Sequence, residues 1–176
     1  MKKFLAALIA LAMLIALPCA LAEEIPTINW EDVEPATEGI EGSWYTFNAV
    51  AMQVWVPDVL ENTEITEEDD DSVIAKFMTA DQSSAIVVQY IEGEEGKTMD
   101  EVITELEDSG ATEIDRCLLN GLDAVSYSIP DVDAAYVTLL TESGNYVQFV
   151  MTPVSDEGFQ SVAQLVTASI MPEQEA

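Results

Sequence analysis

The sequence predicts an α+β domain, an antiparallel β-sheet built from hairpins with helices packed on its faces. Runs of β-branched and aromatic residues alternate with short polar turns along most of the chain. One of those turns is Asn120-Gly121, the strongest short hairpin signal, because both residues tolerate positive φ. Two later segments, by contrast, repeat their apolar residues at the helical spacing of 3.6.

Taken in order, the chain opens on Lys2 and Lys3, an uncharged apolar run from Phe4 to Leu17, Pro18, and the small-x-small pattern Ala20-Leu21-Ala22 before Glu23. This is the layout of a secretory signal peptide over residues 1–22, cleaved after Ala22. The apolar run is shorter than the roughly 20 residues that span a bilayer, so no transmembrane segment is expected in the mature chain. Cys19 lies poorly for lipidation, because Pro18 and Leu17 precede it. Residues 23–42 carry Pro26, Pro35 and Gly39 among acidic residues, which predicts a loose leader with Ile28, Trp30 and Val33 as its docking residues.

The single domain is expected over residues 43–172, with 173–176 as a tail. Trp44 to Phe47 and Ala49 to Val56 read as strands, the second ended by Pro57, which cannot continue a ladder; a short helical turn is expected after it. Val73 to Thr79 and Ala85 to Ile91 flank a polar turn, and apolar residues on both faces of the second run predict an interior strand. Thr112 to Leu119 and Leu122 to Ile129 pair through Asn120-Gly121; Ala134 to Glu142 and Asn145 to Thr152 pair around Ser143-Gly144. Thr98 with Glu101 forms a capping box, and Met99, Val102, Ile103 and Leu106 share a face before Gly110. Phe159, Val162, Ala163, Val166 and Ile170 form the stripe of a second helix, starting near Ser155 and ending at Pro172. Each helix buries one stripe, so each must lie on the sheet.

Composition excludes more than it identifies. The chain has 34 acidic residues, 5 basic ones, 2 cysteines and no histidine. Without residues 1–22 the balance is 3 − 34 = −31, a charge that repels nucleic acid and anionic membranes. Without an imidazole, neither Ser-His-Asp nor Cys-His catalysis nor a histidine-ligated zinc site can be built. A Ser-Lys dyad would need Lys76 or Lys97, neither of which has a signature serine, and Arg116 is isolated. Gly93-Glu94-Glu95-Gly96 puts two carboxylates where a phosphate loop would bind its anion. The expectation is a protein that is not an enzyme and needs no cofactor. After cleavage Cys117 is the lone thiol, with Glu113 and Asp115 at strand spacing to raise its pKa; it is either a buried hydrophobe or a pairing site between chains.

The order of elements, the Val56-Pro57-Asp58-Val59-Leu60 step, the helix from Thr98, the Asn120-Gly121 hairpin and the Pro153-Val154-Ser155-Asp156 lead into a terminal helix resemble the Mog1/PsbP-like fold of small exported bacterial proteins. The resemblance spans roughly Ser43 to Ile170. It implies a sheet sandwiched by helices that acts as a binding or accessory module. Its best-known members dock onto a photosystem or a nuclear GTPase, and no residue role carries over from them.

Two groups are candidate site residues. Asp69, Asp70 and Asp71, in an acidic run that begins at Glu64, with Asp131 and Asp133 as a smaller cluster, are hard oxygen ligands of the kind calcium takes, although their spacing is not that of an EF-hand. Trp30, Trp44 and Trp55, with Tyr45 and Phe47, are candidates for a protein contact, since aromatics dominate interface hot spots. Alternation puts Trp44 on one strand face and Tyr45 and Phe47 on the other. The reading is a secreted acidic binding domain for an unknown protein or surface partner, acting through a sheet edge or exposed aromatics. The alternative is a weak calcium-binding domain stiffened by ions at its acidic loop.

Overall fold

The computed structural model describes residues 25–141 and 143–173; residues 1–22, where a signal peptide is expected, with Cys19 among them, and residues 174–176 of the tail lie outside the described residues. The strands are β1 (Thr27–Ile28), β2 (Gly42–Phe47), β3 (Met52–Pro57), β4 (Leu60–Asn62), β5 (Val73–Thr79), β6 (Ala85–Ile91), β7 (Thr112–Leu119), β8 (Leu122–Ser128), β9 (Ala135–Leu140), β10 (Tyr146–Thr152) and β11 (Met171–Pro172). The α-helices are α1 (Trp30–Val33), α2 (Met99–Asp108) and α3 (Glu157–Ala168), and a 3-10 turn follows α1 at Glu34–Thr37. A large sheet runs β1-β7-β8-β9-β10-β6-β5-β4, and a small one runs β11-β3-β2. Neighbouring strands pair antiparallel except β1 with β7, which is parallel. The α+β class and its hairpin-built sheet are as the alternation of apolar residues requires.

The main core lies on one face of the large sheet. Phe77, Ile86, Val88, Leu139, Val147 and Phe149 pack there with Val54 and Val56 of β3 and with Phe159, Ala163 and Val166 of α3. On the opposite face α2 covers Val125 with Met99 and Val102, flanked by Leu140 and Tyr146. The helix starts as expected: the Thr98 hydroxyl accepts from the Glu101 amide, and the Glu101 carboxylate accepts from the Thr98 amide. Asp156, one residue past Ser155, caps α3 by accepting from the amides of Gly158 and Phe159.

Four local expectations change. Ala49 to Ala51 are not strand but the turn joining β2 to β3, where the Val50 amide donates to the Phe47 carbonyl and Ala51 takes φ 49°. After Pro57 the chain forms no helical turn; it makes the short edge strand β4 against β5. The α3 stripe stops at Ala168, and the next residues leave the helix so that Met171 and Pro172 can pair with β3. The fourth change is the largest, because residues 27–40 are not a loose leader. β1 joins the large sheet, Trp30 and Val33 are buried, and Ala36 and Ile40 pack beside them on Trp55, Leu165, Ala168 and Met171. The acidic residues of the segment mask this, since they face water while an apolar side chain at every third or fourth residue, Trp30, Val33, Ala36 and Ile40, turns inward.

Candidate functional site

The three tryptophans named from the sequence come together at one place, although they lie on α1, β2 and β3. Trp44 and Trp55 are direct cross-strand partners on the outer face of the small sheet. Trp30 completes the cluster, its ring 5.6 Å from Trp44 in an edge-on contact and 5.8 Å from Trp55. Alternation sends Tyr45 and Phe47 the other way, onto Phe77 and Phe149 of the core. Trp30 and Trp55 are buried, whereas Trp44 is 42% exposed. Gly42 makes room for this arrangement: a Cβ there would meet the Trp55 ring.

Two polar residues hold the cluster, and neither is recognisable as such in the sequence. Asn120, at φ 50° in the β7–β8 turn, accepts from the Trp30 amide at 2.5 Å through Oδ1. Its Nδ2 donates to the carbonyls of Ala168 at 2.9 Å and Ile170 at 2.8 Å. A turn residue thus ties the N-terminal segment to the end of α3. Ser169, with no exposed surface, accepts from the Trp55 amide at 2.9 Å and donates to the Val166 carbonyl at 2.7 Å. Its hydroxyl also lies 3.2 Å from the Trp55 carbonyl. It serves as a side-chain rung continuing the β3–β11 ladder.

That rung fixes the polarity of the β2 edge. In an antiparallel ladder, residue pairs alternate between exchanging both hydrogen bonds and exchanging none. The Trp55 N–H and C=O point toward Ser169, away from β2, so the Trp44–Trp55 pair is a non-hydrogen-bonded one. The Asp58 amide donating to the Glu41 carbonyl agrees with this phase. The N–H and C=O groups of Gly42, Trp44 and Thr46 therefore point outward. Among the described residues no strand pairs on that side.

The carboxylate candidates are separated, and Asp69, Asp70 and Asp133 are engaged by protein donors. Asp69, Asp70 and Asp71 precede the Val73 end of β5, which pairs with Gln89 of β6. Asp131 and Asp133 precede β9, whose Ala135 pairs with Met151 beside Ala85, at the other end of β6. The two clusters lie at opposite ends of the large sheet and do not form one site. Asp69 pairs through both oxygens with Lys76 at 2.8 Å. Its pKa is lowered to about 2, chiefly by that hydrogen bond and then by the Thr66 amide and hydroxyl. Asp70 accepts from the Ser72 amide, and its pKa is lowered by Ser72. Asp133 accepts from the Ser155 hydroxyl and from the amides of Ser155 and Val154, and Ser155 lowers its pKa. Asp71 and Asp131 are exposed. Among the described residues no three Asp, Glu or Cys side chains are grouped as a metal site requires.

The cations are engaged too. Arg116 holds Asp123 bidentately and also reaches Asp100. Lys97 pairs with Glu105 at 2.6 Å, 5.7 Å from the Tyr146 ring centre. Its pKa is raised, first by Glu105 and then by Tyr146, the reverse of what a lysine base needs. Lys97 lines a surface depression of about 330 Å³ with Glu94, Glu95, Glu101 and Glu105. There Glu101 is held low by the Thr98 amide and hydroxyl, whereas acid catalysis calls for a raised carboxyl. Cys117 is a free, partly buried thiol pushed up to about 11, mainly by burial and then by Asp115 and Asp123.

No family model matches the chain, and no curated protein matches it by sequence. Solved structures do match. The cyanobacterial PsbP protein CyanoP of Synechocystis superposes with a TM-score of 0.53 at 12% identity, over 76% of this chain and 93% of that one. A protein of Bacteroides thetaiotaomicron gives 0.50 at 14% identity, over 77% of this chain and 50% of that one. The Saccharomyces cerevisiae Ran-binding protein Mog1p gives 0.43 at 11% identity, over 77% and 97%. The superposition on the PsbP protein shows that the chain has a Mog1/PsbP-like fold. Among its described residues no helix is long and apolar enough to cross a membrane.

Proposed function

We propose that this chain is an exported, non-catalytic accessory domain that binds a protein partner through the free edge of β2 and the exposed face of Trp44. Trp44 carries the reading: it stands exposed on an edge strand with outward hydrogen-bonding groups, braced by two buried indoles. An open edge invites pairing, and proteins usually blunt it with charge, proline or a cover. The six residues of β2 contain neither charge nor proline. A rigid aromatic beside unpaired backbone groups supplies both parts of strand-addition binding, main-chain hydrogen bonds for affinity and a side-chain contact for choice. Export rests on the pattern from Lys2 to Ala22, and finding Glu23 as the N-terminal residue of the protein recovered outside the cell tests it.

The binding reading is tested by photo-crosslinking in the producing cells, with the crosslinker at Ser43 or Thr46 on the edge and at Glu107 on α2 as control. A discrete protein adduct from the edge positions, absent at Glu107 and abolished by Trp44→Ala, is the expected result. Equal labelling at all three positions, or adducts indifferent to Trp44→Ala, would refute it.

A further inference from the structure

We infer that the β2 edge takes a cationic extended segment of its partner, added as a fourth strand to the small sheet with an apolar residue set against Trp44. This rests on the proposed use of that edge and adds the chemistry of the occupant. A partner backbone in extended conformation meets the outward groups of Gly42, Trp44 and Thr46 in register, every second residue. A segment bonding there places the side chain opposite Trp44 on the Trp30–Trp44 face, where an apolar group gains contact area against the exposed indole.

The charge follows from what surrounds the edge. Exposed Glu31, Asp32 and Glu34 flank Trp30 on the α1 segment, Glu38 and Glu41 lead into β2, and Asp58 bonds to the Glu41 carbonyl. From residue 25 to residue 75 there is no Lys or Arg. The basic residues among the described ones, Lys76, Lys97 and Arg116, are each held in an internal ion pair. The edge therefore lies in an uncompensated negative field, which speeds the encounter with lysine or arginine and repels an acidic strand. The same field argues against a second copy of this chain, which would set one such rim against another.

The test uses the exported chain, residues 23–176, and three soluble peptides of alternating side chains with a central leucine. In the first the flanking residues are lysine, in the second serine, and the third is the lysine peptide with alternate backbone amides methylated. The expected result is that the lysine peptide slows hydrogen exchange at the Gly42, Trp44 and Thr46 amides and binds about tenfold or more tightly than the serine peptide, an advantage that added salt erodes. Methylation, which keeps the charge but removes the donors to the edge carbonyls, is expected to weaken binding about tenfold or more.

If the methylated peptide binds equally well, attraction is diffuse and the inference falls. Equal binding of the serine peptide overturns the cationic occupant while leaving the edge itself in use. Protection of the three amides in a concentration-dependent dimer without peptide would put a second copy there and overturn it too. An absence of edge protection by every peptide also overturns it, and the crosslinking at Ser43 and Thr46 then decides separately whether the edge binds any partner.

Discussion

Replacing Asn120 by glycine isolates the residue that ties the two ends of the chain together. Glycine accepts the positive φ of the turn, so the β7–β8 hairpin survives while the side-chain bonds to Trp30, Ala168 and Ile170 are lost. At a net of about 1 kcal/mol each, three hydrogen bonds amount to about 3 kcal/mol. The easier backbone at positive φ returns somewhat under 1 kcal/mol, leaving about 2 kcal/mol. In a domain of this size that lowers Tm by roughly 4–8 °C. Urea unfolding followed by far-ultraviolet circular dichroism measures the loss, and a red shift of tryptophan emission reports release of Trp30.

Asn120→Asp sharpens the test. It keeps the acceptor for the Trp30 amide but turns a carboxylate oxygen toward two carbonyls. Protonation restores one donor, so that carboxyl titrates in the folded state above its unfolded value of about 3.9. A raised acid pKa means the folded state binds more protons, so the variant gains stability relative to Asn120→Gly as pH falls from 7 toward 4. A glycine variant within about 0.5 kcal/mol of the parent, with unshifted emission, would show that the three bonds do not hold the segment.

Four further outcomes are expected. Ser169→Ala strands the Trp55 amide in the core and costs about 1–3 kcal/mol in urea unfolding; a neutral result would mean the rung is dispensable. Trp30→Ala costs about 3–5 kcal/mol because the ring is buried, and Trp44→Ala costs less than half of that because its ring is 42% exposed; equal losses would contradict the packing. Asp69 and Asp81 have pKa values lowered to about 2, Asp69 first by Lys76 and Asp81 first by Thr79. Depressed carboxyls contribute stability above their unfolded pKa and lose it as pH falls through the folded one, so Asp69→Asn is destabilising at pH 7 and the gap to the parent narrows steadily as pH falls from about 4 through about 2, as thermal unfolding will show. Added calcium should raise Tm no more than sodium chloride of matched ionic strength, because Asp69, Asp70 and Asp133 already accept from protein donors. A calcium-specific gain of about 2.7 kcal/mol at a hundredfold excess over Kd would reinstate the acidic loop as a site.

Much of the fold was legible because it is locally encoded. The spans of β5, β6 and β7 and the Thr98 capping box follow from neighbours in sequence, where alternation, turn chemistry and capping act over a few residues. The misreadings fall where a distant partner decides. Residues 27–40 look like a polar leader until β7 offers an edge and Trp55, Leu165 and Met171 offer an apolar shelf. Ile170 continues the helical stripe in sequence, but the helix ends at Ala168 and Met171 and Pro172 pair with β3 instead. The site divides the same way. Trp44 could be assigned the face opposite Tyr45 and Phe47 from alternation alone, yet its exposure and the burial of Trp30 and Trp55 depended on what packed over them.

The sequence by itself determined the α+β class, the two long helices, most of the hairpins, the acidic balance and the absence of any imidazole chemistry, because each depends on composition or on residues a few positions apart. Only the tertiary structure decided that three tryptophans from separate segments share one cluster, that the two candidate aspartate clusters lie at opposite ends of a sheet, and that Asn120 and Ser169 hold the N-terminal segment, β3 and the end of α3 together. Those outcomes depend on strand order and on hydrogen bonds reaching across 48 to 114 positions of sequence. No local pattern can specify a contact whose two halves acquire meaning only once the backbone between them has folded.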